Sequence, residues 1–166
     1  MFSLPLWILL LAGQLSAGTV WYQATSLGSN FYRYDYTIDY NFLQYQELDI
    51  KFDPTLYSNL TNGVASSDFN LVLLQPNNPS GTSGDYSLLA LIGNPTLAGP
   101  FSVKFMFLGA GEPGSQLYFI NQFDPSGQNL IDTIESGSTV PEPANWLMAG
   151  AGLIVSGMLR GVRNRK

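Results

Sequence analysis

Two pairs of carboxylates are the side chains in this sequence whose spacing could support catalysis: Asp35 with Asp39, and Glu47 with Asp49. Two such groups can hydrolyse a glycoside if a cleft raises the pKa of one of them. Both pairs, however, alternate with apolar residues along strand-like segments, so we expect their side chains to point into solvent. The pairs are therefore predicted to be surface residues rather than a catalytic site.

The chain lacks the residue types on which most catalytic and metal sites depend. It contains no His, the commonest general base and neutral metal ligand, and no Cys, so it can form no disulfide. Serine is plentiful, but no Gly-x-Ser-x-Gly nucleophile elbow is present and no His could activate it. Residues 124–129, DPSGQN, place oxygen ligands beside a glycine, yet their single carboxylate and their spacing predict a turn rather than a calcium site. We predict that the protein is not an enzyme and carries no cofactor or metal.

The body of the chain is patterned as short strands. From residue 31 to residue 42, aromatic and aliphatic side chains alternate with Arg, Asp, Thr and Asn, which is the period of a strand with one buried and one solvated face. Residues 46–54 repeat this pattern. Five more segments have strand length and are rich in branched and aromatic residues: 68–76, 86–93, 101–109, 116–123 and 129–136.

These strands predict an all-β fold. Turn residues separate the segments, only 53–63 could hold a helical turn, and no strand–helix–strand alternation appears. We expect an antiparallel β-sandwich of immunoglobulin-like or jelly-roll-like size over residues 18–139. The apolar runs 71–74 and 88–92 are predicted to lie in central strands, because both of their faces are apolar.

The tyrosines of the first segment allow two interpretations. Exposed rings could stack on sugars, whereas rings on the buried face would pack in the core with their hydroxyls at its rim. Strict alternation with charged residues favours the core for Tyr32, Tyr34, Tyr36 and Tyr40.

Residues 18–140 form a strongly acidic domain. They hold three basic residues, Arg33, Lys51 and Lys104, against eleven Asp and Glu, which gives a formal net charge of −8. A domain of this sign has no electrostatic basis for binding nucleic acid or an anionic membrane surface. Nucleic acid is therefore not expected as a partner.

The first 17 residues have the order of a secretory signal peptide. A dense apolar run from Leu4 to Leu11 precedes small residues, and we expect cleavage between Ala17 and Gly18. The run is too short for a permanent membrane span, which takes about 20 residues. The alternative is a buried first strand or helix.

The opposite end of the chain is patterned as a membrane anchor. Residues 145–159 carry no charge, and Trp146 lies near one border, where an indole prefers the membrane interface. We predict a single transmembrane helix over 145–159. A surface or core helix is the alternative, and the absence of a polar stripe disfavours the amphipathic form. Four of the seven Lys and Arg residues follow the run: Arg160, Arg163, Arg165 and Lys166. By the positive-inside rule, we expect this basic end to stay in the cytoplasm.

The order of these pieces resembles the PEP-CTERM sorting signal. Val140, Pro141, Glu142 and Pro143 precede the Trp, the apolar run and the Arg-rich end, so the resemblance covers residues 140–166. It implies an exported protein of a Gram-negative bacterium and a partner enzyme, exosortase, that recognises the Pro-Glu-Pro and processes the chain there. The two prolines should hold Glu142 in an extended conformation that an enzyme can bind. Alone, a Pro-Glu-Pro would be read as a linker. Two departures are Ala144, where Ser or Thr is common, and a basic end interrupted by Gly161, Val162 and Asn164.

Together the two ends and the body predict a non-enzymatic protein exported through the inner membrane. Its destination would be the cell envelope, the cell surface or the extracellular matrix, with a structural or adhesive role in exopolysaccharide or biofilm. The membrane would be contacted through the C-terminal helix. The alternative is a carbohydrate-binding module displayed at the cell surface, with extracellular polysaccharide as its partner.

Overall fold

The computed structural model describes residues 18–143, and every regular element among them is a strand. The predicted signal peptide over 1–17 and the predicted helix over 145–159 lie outside the described residues. Within residues 18–143, no helix is long and apolar enough to cross a membrane. The strands are β1 Thr19–Gly28, β2 Phe31–Asp39, β3 Gln46–Phe52, β4 Tyr57–Val64, β5 Phe69–Leu74, β6 Gly84–Ala90, β7 Phe101–Phe107, β8 Leu117–Phe123, β9 Leu130–Ser138 and β10 Val140–Pro141.

The strands form two five-stranded sheets that enclose one core. The first sheet has the order β10-β1-β2-β7-β4 and the second has the order β5-β6-β3-β8-β9. Every neighbouring pair is antiparallel except β1 with β10, which is parallel. The ring centroids of Tyr36 in the first sheet and Tyr86 in the second are 5.6 Å apart, so the sheets face each other. The prediction of an all-β, two-sheet fold is confirmed.

Aromatic side chains of β2 fill the centre of this core. Tyr34 and Tyr36 are buried, and the Tyr34 hydroxyl donates to the Gly114 carbonyl at 2.6 Å. The strand ends at Asp39, and Phe42 is buried in the connection that follows. The core interpretation of the tyrosine row is therefore confirmed for its two central members, whereas Tyr32 and Tyr40 are half-buried at its margins.

The segment 53–63, predicted to hold a helical turn, contains one at its start, where the Leu56 and Tyr57 amides donate to the Asp53 carbonyl at 3.0 Å and 2.9 Å, and from Tyr57 onward it is strand β4. Its register against β7 shifts twice, and Asn59 and Asn62 have positive φ angles of 55° and 50°. Asparagine tolerates this left-handed conformation better than most residues, so the strand bulges instead of following a regular alternation. The bulge separates Leu60 from the β7 ladder. The Gln75 side-chain amide replaces the ladder there, donating to the Leu60 carbonyl at 2.7 Å and accepting from the Leu60 amide at 2.9 Å.

The prediction that 71–74 lies in a central strand is wrong. β5 is the edge strand of the second sheet, and Val72 and Leu74 are 41% and 51% exposed. The run 88–92 is central only up to Ala90, where β6 ends, and Leu91 and Ile92 are exposed. An apolar run on both faces does not specify a central strand, because isolated apolar side chains are common on protein surfaces.

Candidate functional site

The segment that contains the predicted sorting motif begins where the chain crosses from one sheet to the other. β9 is an edge of the second sheet, and the next residue, Thr139, is 1% exposed. Its backbone amide donates to the Gln116 carbonyl at 2.8 Å, and its hydroxyl accepts from the Gln116 amide at 2.9 Å. These two hydrogen bonds fix the crossing point.

After the crossing, the motif pairs with the edge of the first sheet. Val140 and Pro141 lie opposite Trp21 and Tyr22 of β1, in parallel register. The Glu142 amide then donates to the Tyr22 carbonyl at 3.0 Å. Because neither proline has an N–H group, Glu142 supplies the one amide donor of the Pro-Glu-Pro, and the pairing is correspondingly short.

The Glu142 side chain adds a second contact. Its Oε1 accepts a hydrogen bond from Thr37 Oγ1 at 2.5 Å, so the carboxylate reaches past β1 to β2. All four residues Val140–Pro143 are nevertheless exposed. The motif is thus extended and held through its backbone and one carboxylate oxygen, while its side chains face solvent. Nothing in the sequence singles out Thr37, because a polar residue on the wet face of a strand is ordinary.

Gly18, at the predicted signal cleavage point, is tightly packed. A Cβ atom at this position would lie 2.5 Å from Cδ2 of Tyr40, so a larger residue there would displace the Tyr40 ring. The Gly18 carbonyl accepts from the Tyr118 hydroxyl at 2.8 Å. Burial and the neighbouring Glu135 carboxylate raise the pKa of Tyr118 to about 12. The other predicted site residues lie outside the described residues: Ala17, Trp146, Arg160, Arg163, Arg165 and Lys166.

The carboxylate pairs are not brought together into a catalytic cleft. Asp39 is exposed, and Asp35 forms a partly exposed ion pair with Arg33 at 2.9 Å. Glu47, on the outer face of β3, accepts hydrogen bonds from Ser87 and Asn121 of the neighbouring strands. Each group therefore has an immediate structural partner or faces solvent.

Asp49 does not behave as the predicted solvated residue. It is only 8% exposed, because neighbouring side chains on the outer face of the second sheet cover it. Its Oδ2 lies 2.5 Å from Lys51 Nζ, which also contacts Asp85 at 2.9 Å. Burial raises the pKa of Asp49 to about 6, and the Lys51 ammonium only partly opposes this effect.

Residues 124–129 form the predicted turn. Asp124 Oδ1 accepts from the Ser126 hydroxyl at 2.6 Å and from the Ser126 amide at 3.0 Å, while Oδ2 accepts from Asn129 Nδ2 at 2.6 Å. These hydrogen bonds hold the pKa of Asp124 well below its usual range. The carboxylate is engaged within its own turn. Across residues 18–143, no cluster of three or more acidic side chains could hold a metal ion.

The motif is an exposed, extended segment at the edge of the first sheet. An exposed, extended peptide with one carboxylate is a form that another protein can bind by its backbone and side chains. The motif is held by the Tyr22 carbonyl and the Thr37 hydroxyl, and Thr139, the residue before it, is bonded to Gln116. Comparison with protein-family models, with curated proteins and with solved structures found no match to this chain.

Proposed function

We propose that this is an exported, non-enzymatic envelope protein whose C-terminal sorting signal is processed at Val140–Pro143. The observation that carries the proposal is the position of the motif: it is extended and exposed at the end of the folded domain. In a processing enzyme embedded in the membrane, the active site reaches only peptide that lies near the bilayer. Pro143 precedes the apolar run 145–159 by two residues, which puts the motif within that reach.

Each end of the chain has its own role in this function. Residues 1–17 act as a signal peptide cleaved before Gly18, and 145–159 form a helix in the inner membrane of a Gram-negative bacterium. Trp146 lies at the membrane interface, and the basic end at 160–166 stays in the cytoplasm. Exosortase is the processing partner. The acidic domain is delivered to the envelope or the extracellular matrix, where it has a structural or adhesive role.

The tyrosine row does not support the alternative of a carbohydrate-binding module. Tyr34 and Tyr36 are buried in the core, so their rings cannot stack on a polysaccharide. Carbohydrate binding through the face of β2 that carries them is therefore not part of the proposal.

Mass spectrometry of the protein recovered from cell fractions tests the proposal. In cells that contain the sorting enzyme, we expect loss of residues 1–17 and of the chain beyond the motif. Cells without the enzyme should retain the tail in the inner membrane. The Glu142→Ala variant should also retain it, whereas Glu112→Ala, which changes an exposed loop carboxylate, should be processed normally. A full-length chain in the cytoplasm, or an unchanged tail in the presence of the enzyme, would overturn the proposal.

A further inference from the structure

The chain leaves the folded domain in a defined direction. β10 runs parallel to β1, with its two residues opposite Trp21 and Tyr22. The chain beyond Pro143 therefore heads toward the C-terminal end of β1, where the hairpin to β2 turns at residues 29–30.

The link from the domain to the proposed membrane helix is too short to hold the domain clear of the bilayer. Trp146, the residue assigned to the membrane interface, follows Pro141 by five positions, which span at most about 18 Å of extended chain. From Tyr22, which lies opposite Pro141, β1 continues in the same direction for six residues, or about 20 Å. A chain that leaves along this line therefore brings the hairpin to the interface.

Three leucines are exposed at this end of the first sheet: Leu27 at 46%, Leu56 at 40% and Leu108 at 52%. The Leu108 amide donates to the Leu56 carbonyl at 2.8 Å, and the Phe107 amide donates to the Asn30 carbonyl at 2.8 Å. The β1–β2 hairpin, the start of β4 and the end of β7 therefore lie side by side, and we call their three leucines the hairpin tip. Clustered apolar surface of this kind marks sites of protein or membrane contact.

The basic residues of the first sheet lie just behind the hairpin tip. Arg33 and Lys104 are opposite each other on β2 and β7, one same-face step of about 7 Å from Phe31 and Met106, the pair nearest the hairpin tip. Arg33 is paired with Asp35, whereas Lys104 forms no ion pair among residues 18–143. The headgroup layer of a bilayer is about 5–8 Å thick, so leucines at its acyl-chain boundary place both basic side chains among the phosphates.

We propose that the hairpin tip rests in the lipid interface of the membrane that holds the tail. The leucines meet the acyl-chain boundary, and Arg33 and Lys104 bind lipid phosphates. Asp53 and Glu112 lie in the loops beside the hairpin tip, so the occupant is a phospholipid surface without excess negative charge. This contact rests on the proposed function, since it needs the membrane helix at 145–159, and it gives the domain a fixed orientation, with the β1–β10 edge upright on the bilayer.

Spin labelling of the chain in phosphatidylcholine vesicles tests the contact. The sequence has no Cys, so one introduced Cys carries the only label. The chain is purified with its tail from cells that lack the sorting enzyme, and three single variants are labelled: Ser29→Cys in the hairpin, Asn41→Cys in the exposed connection after β2, and Ser156→Cys in the apolar run. Electron paramagnetic resonance measures how often each label collides with oxygen, which concentrates in lipid, and with a water-soluble nickel chelate. We expect the ratio of oxygen to nickel collisions to be highest at position 156, intermediate at 29 and at its solvent value at 41.

Two double variants, each carrying the label at position 29, locate the contact. Leu27→Asp with Leu108→Asp puts charges on the hairpin tip and should lower the ratio at 29 to the solvent value. Leu43→Asp with Leu91→Asp is the matched control, because these leucines are 60% and 42% exposed away from the hairpin tip, and it should leave the ratio unchanged. Since all four side chains are exposed, both variants should keep the native circular dichroism spectrum.

The label positions separate this contact from the proposed function. A lipid value at 156 with a solvent value at 29 overturns the contact alone, and so does a ratio at 29 that Leu27→Asp with Leu108→Asp leaves unchanged. Dipolar broadening of the label at 29 by a second label would assign the hairpin tip to another copy of the chain and also overturn the contact. A solvent value at 156 overturns the membrane helix and the contact with it.

Discussion

Asp49 illustrates how a single residue departs from the role its strand position suggests. Alternation along β3 places its side chain on the outer face, and the structure agrees. The side chains of neighbouring strands nevertheless cover it, and its Oδ1 atom has no hydrogen-bond partner among the described residues. A charged carboxylate in this position is poorly solvated, which raises its pKa and makes stability depend on pH.

We expect the Asp49→Asn variant to lose this pH dependence. The folded pKa of about 6 lies above the ordinary value of 3.8, so the stability that this group contributes is complete below pH 3.8 and is lost as pH rises through 6. Above that window, Asp49→Asn should be more stable than the native protein by about 1–3 kcal/mol. Urea unfolding across the window measures the difference. Asp132→Asn, an exposed carboxylate on β9, is the control, and an unchanged pH slope in Asp49→Asn would contradict the assignment.

The buried hydroxyl of Tyr34 is a second single group whose contribution to stability can be measured. Its hydroxyl donates to the Gly114 carbonyl at 2.6 Å and lies 3.2 Å from the Tyr57 hydroxyl, while its ring is fully buried. Tyr34→Phe keeps the ring and leaves both partners short of a hydrogen bond, so the free energy of unfolding should fall by about 1–2 kcal/mol. Tyr32→Phe is the matched control, because its hydroxyl makes only a 3.5 Å contact in a more exposed position. Equal losses in the two variants, measured by thermal or urea unfolding, would show that the buried hydroxyl contributes nothing.

At the scale of elements, β10 is the least extensive strand. It holds the motif against β1 through a two-residue parallel pairing, the Glu142 amide and the hydrogen bond from Thr37. An enzyme that binds an extended peptide by its backbone must compete with β1 for the same groups. Under the proposed function, β10 would have to detach from β1 before the motif is processed.

The Thr37→Val variant should detach β10 more readily. Valine keeps the shape of the side chain and removes the donor to Glu142, and the site is exposed, so the fold should be unaffected. We expect the Glu142 amide to exchange its hydrogen with solvent a few-fold faster, and processing at the motif to accelerate in parallel. Thr61→Val, on the exposed face of β4, is the control. Unchanged exchange at Glu142 would show that the Thr37 contact does not hold the strand.

The elements differ in how far the sequence specifies them. β2 and β3 could be predicted because a strict period of two sets the face of each side chain locally. β1 could not be predicted in the same way, because its alternation of polar and apolar residues is weak. The large apolar Trp21 lies on its outer face and the small Ala24 on its inner face. β4 could not be predicted, because bulges at Asn59 and Asn62 interrupt its alternation. The positive φ angles that produce these bulges are not apparent from the residue pattern.

The candidate site could likewise be predicted only in part from the sequence. The Pro-Glu-Pro can be read directly from the sequence, but its attachment to the sheet cannot, because Thr37 and Glu142 are 105 positions apart. Thr139 likewise owes its role to Gln116, 23 positions earlier. Such pairings depend on strand order, which the local pattern does not contain. The burial of Asp49 and the edge position of β5 also depend on strand order, so they could not be predicted either.

For the whole molecule, charge is the property that most affects behaviour in solution. Residues 18–140 carry a formal net charge of −8, with only three basic side chains to offset eleven acidic ones. Mutual repulsion among the carboxylates weakens the compact state, and added salt screens it over a Debye length of about 8 Å at physiological ionic strength. The local ion pairs of Arg33 and Lys51 are too few to reverse this effect.

We therefore expect the melting temperature to rise as sodium chloride is added. Differential scanning fluorimetry from low to moderate salt measures the change, and potassium chloride should give the same result because screening is independent of the cation. A melting temperature that falls with salt would mean that ion pairs outweigh repulsion in this domain.

The parallel direction of β10 and β1 also determines how the domain resists mechanical force. A pull on the chain beyond Pro143 along the strand axis loads the Val140–Glu142 contacts in shear, so they share the load instead of opening one at a time. When these contacts yield, the tension passes to Thr139, whose two hydrogen bonds to Gln116 are buried in the core. We expect single-molecule pulling from the C-terminal end to show a first small extension, the release of β10, before the sandwich unfolds. A single step without that release would exclude this sequence of events. If β10 is released first, the chain beyond Pro143 lengthens under load while the rest of the sandwich stays folded.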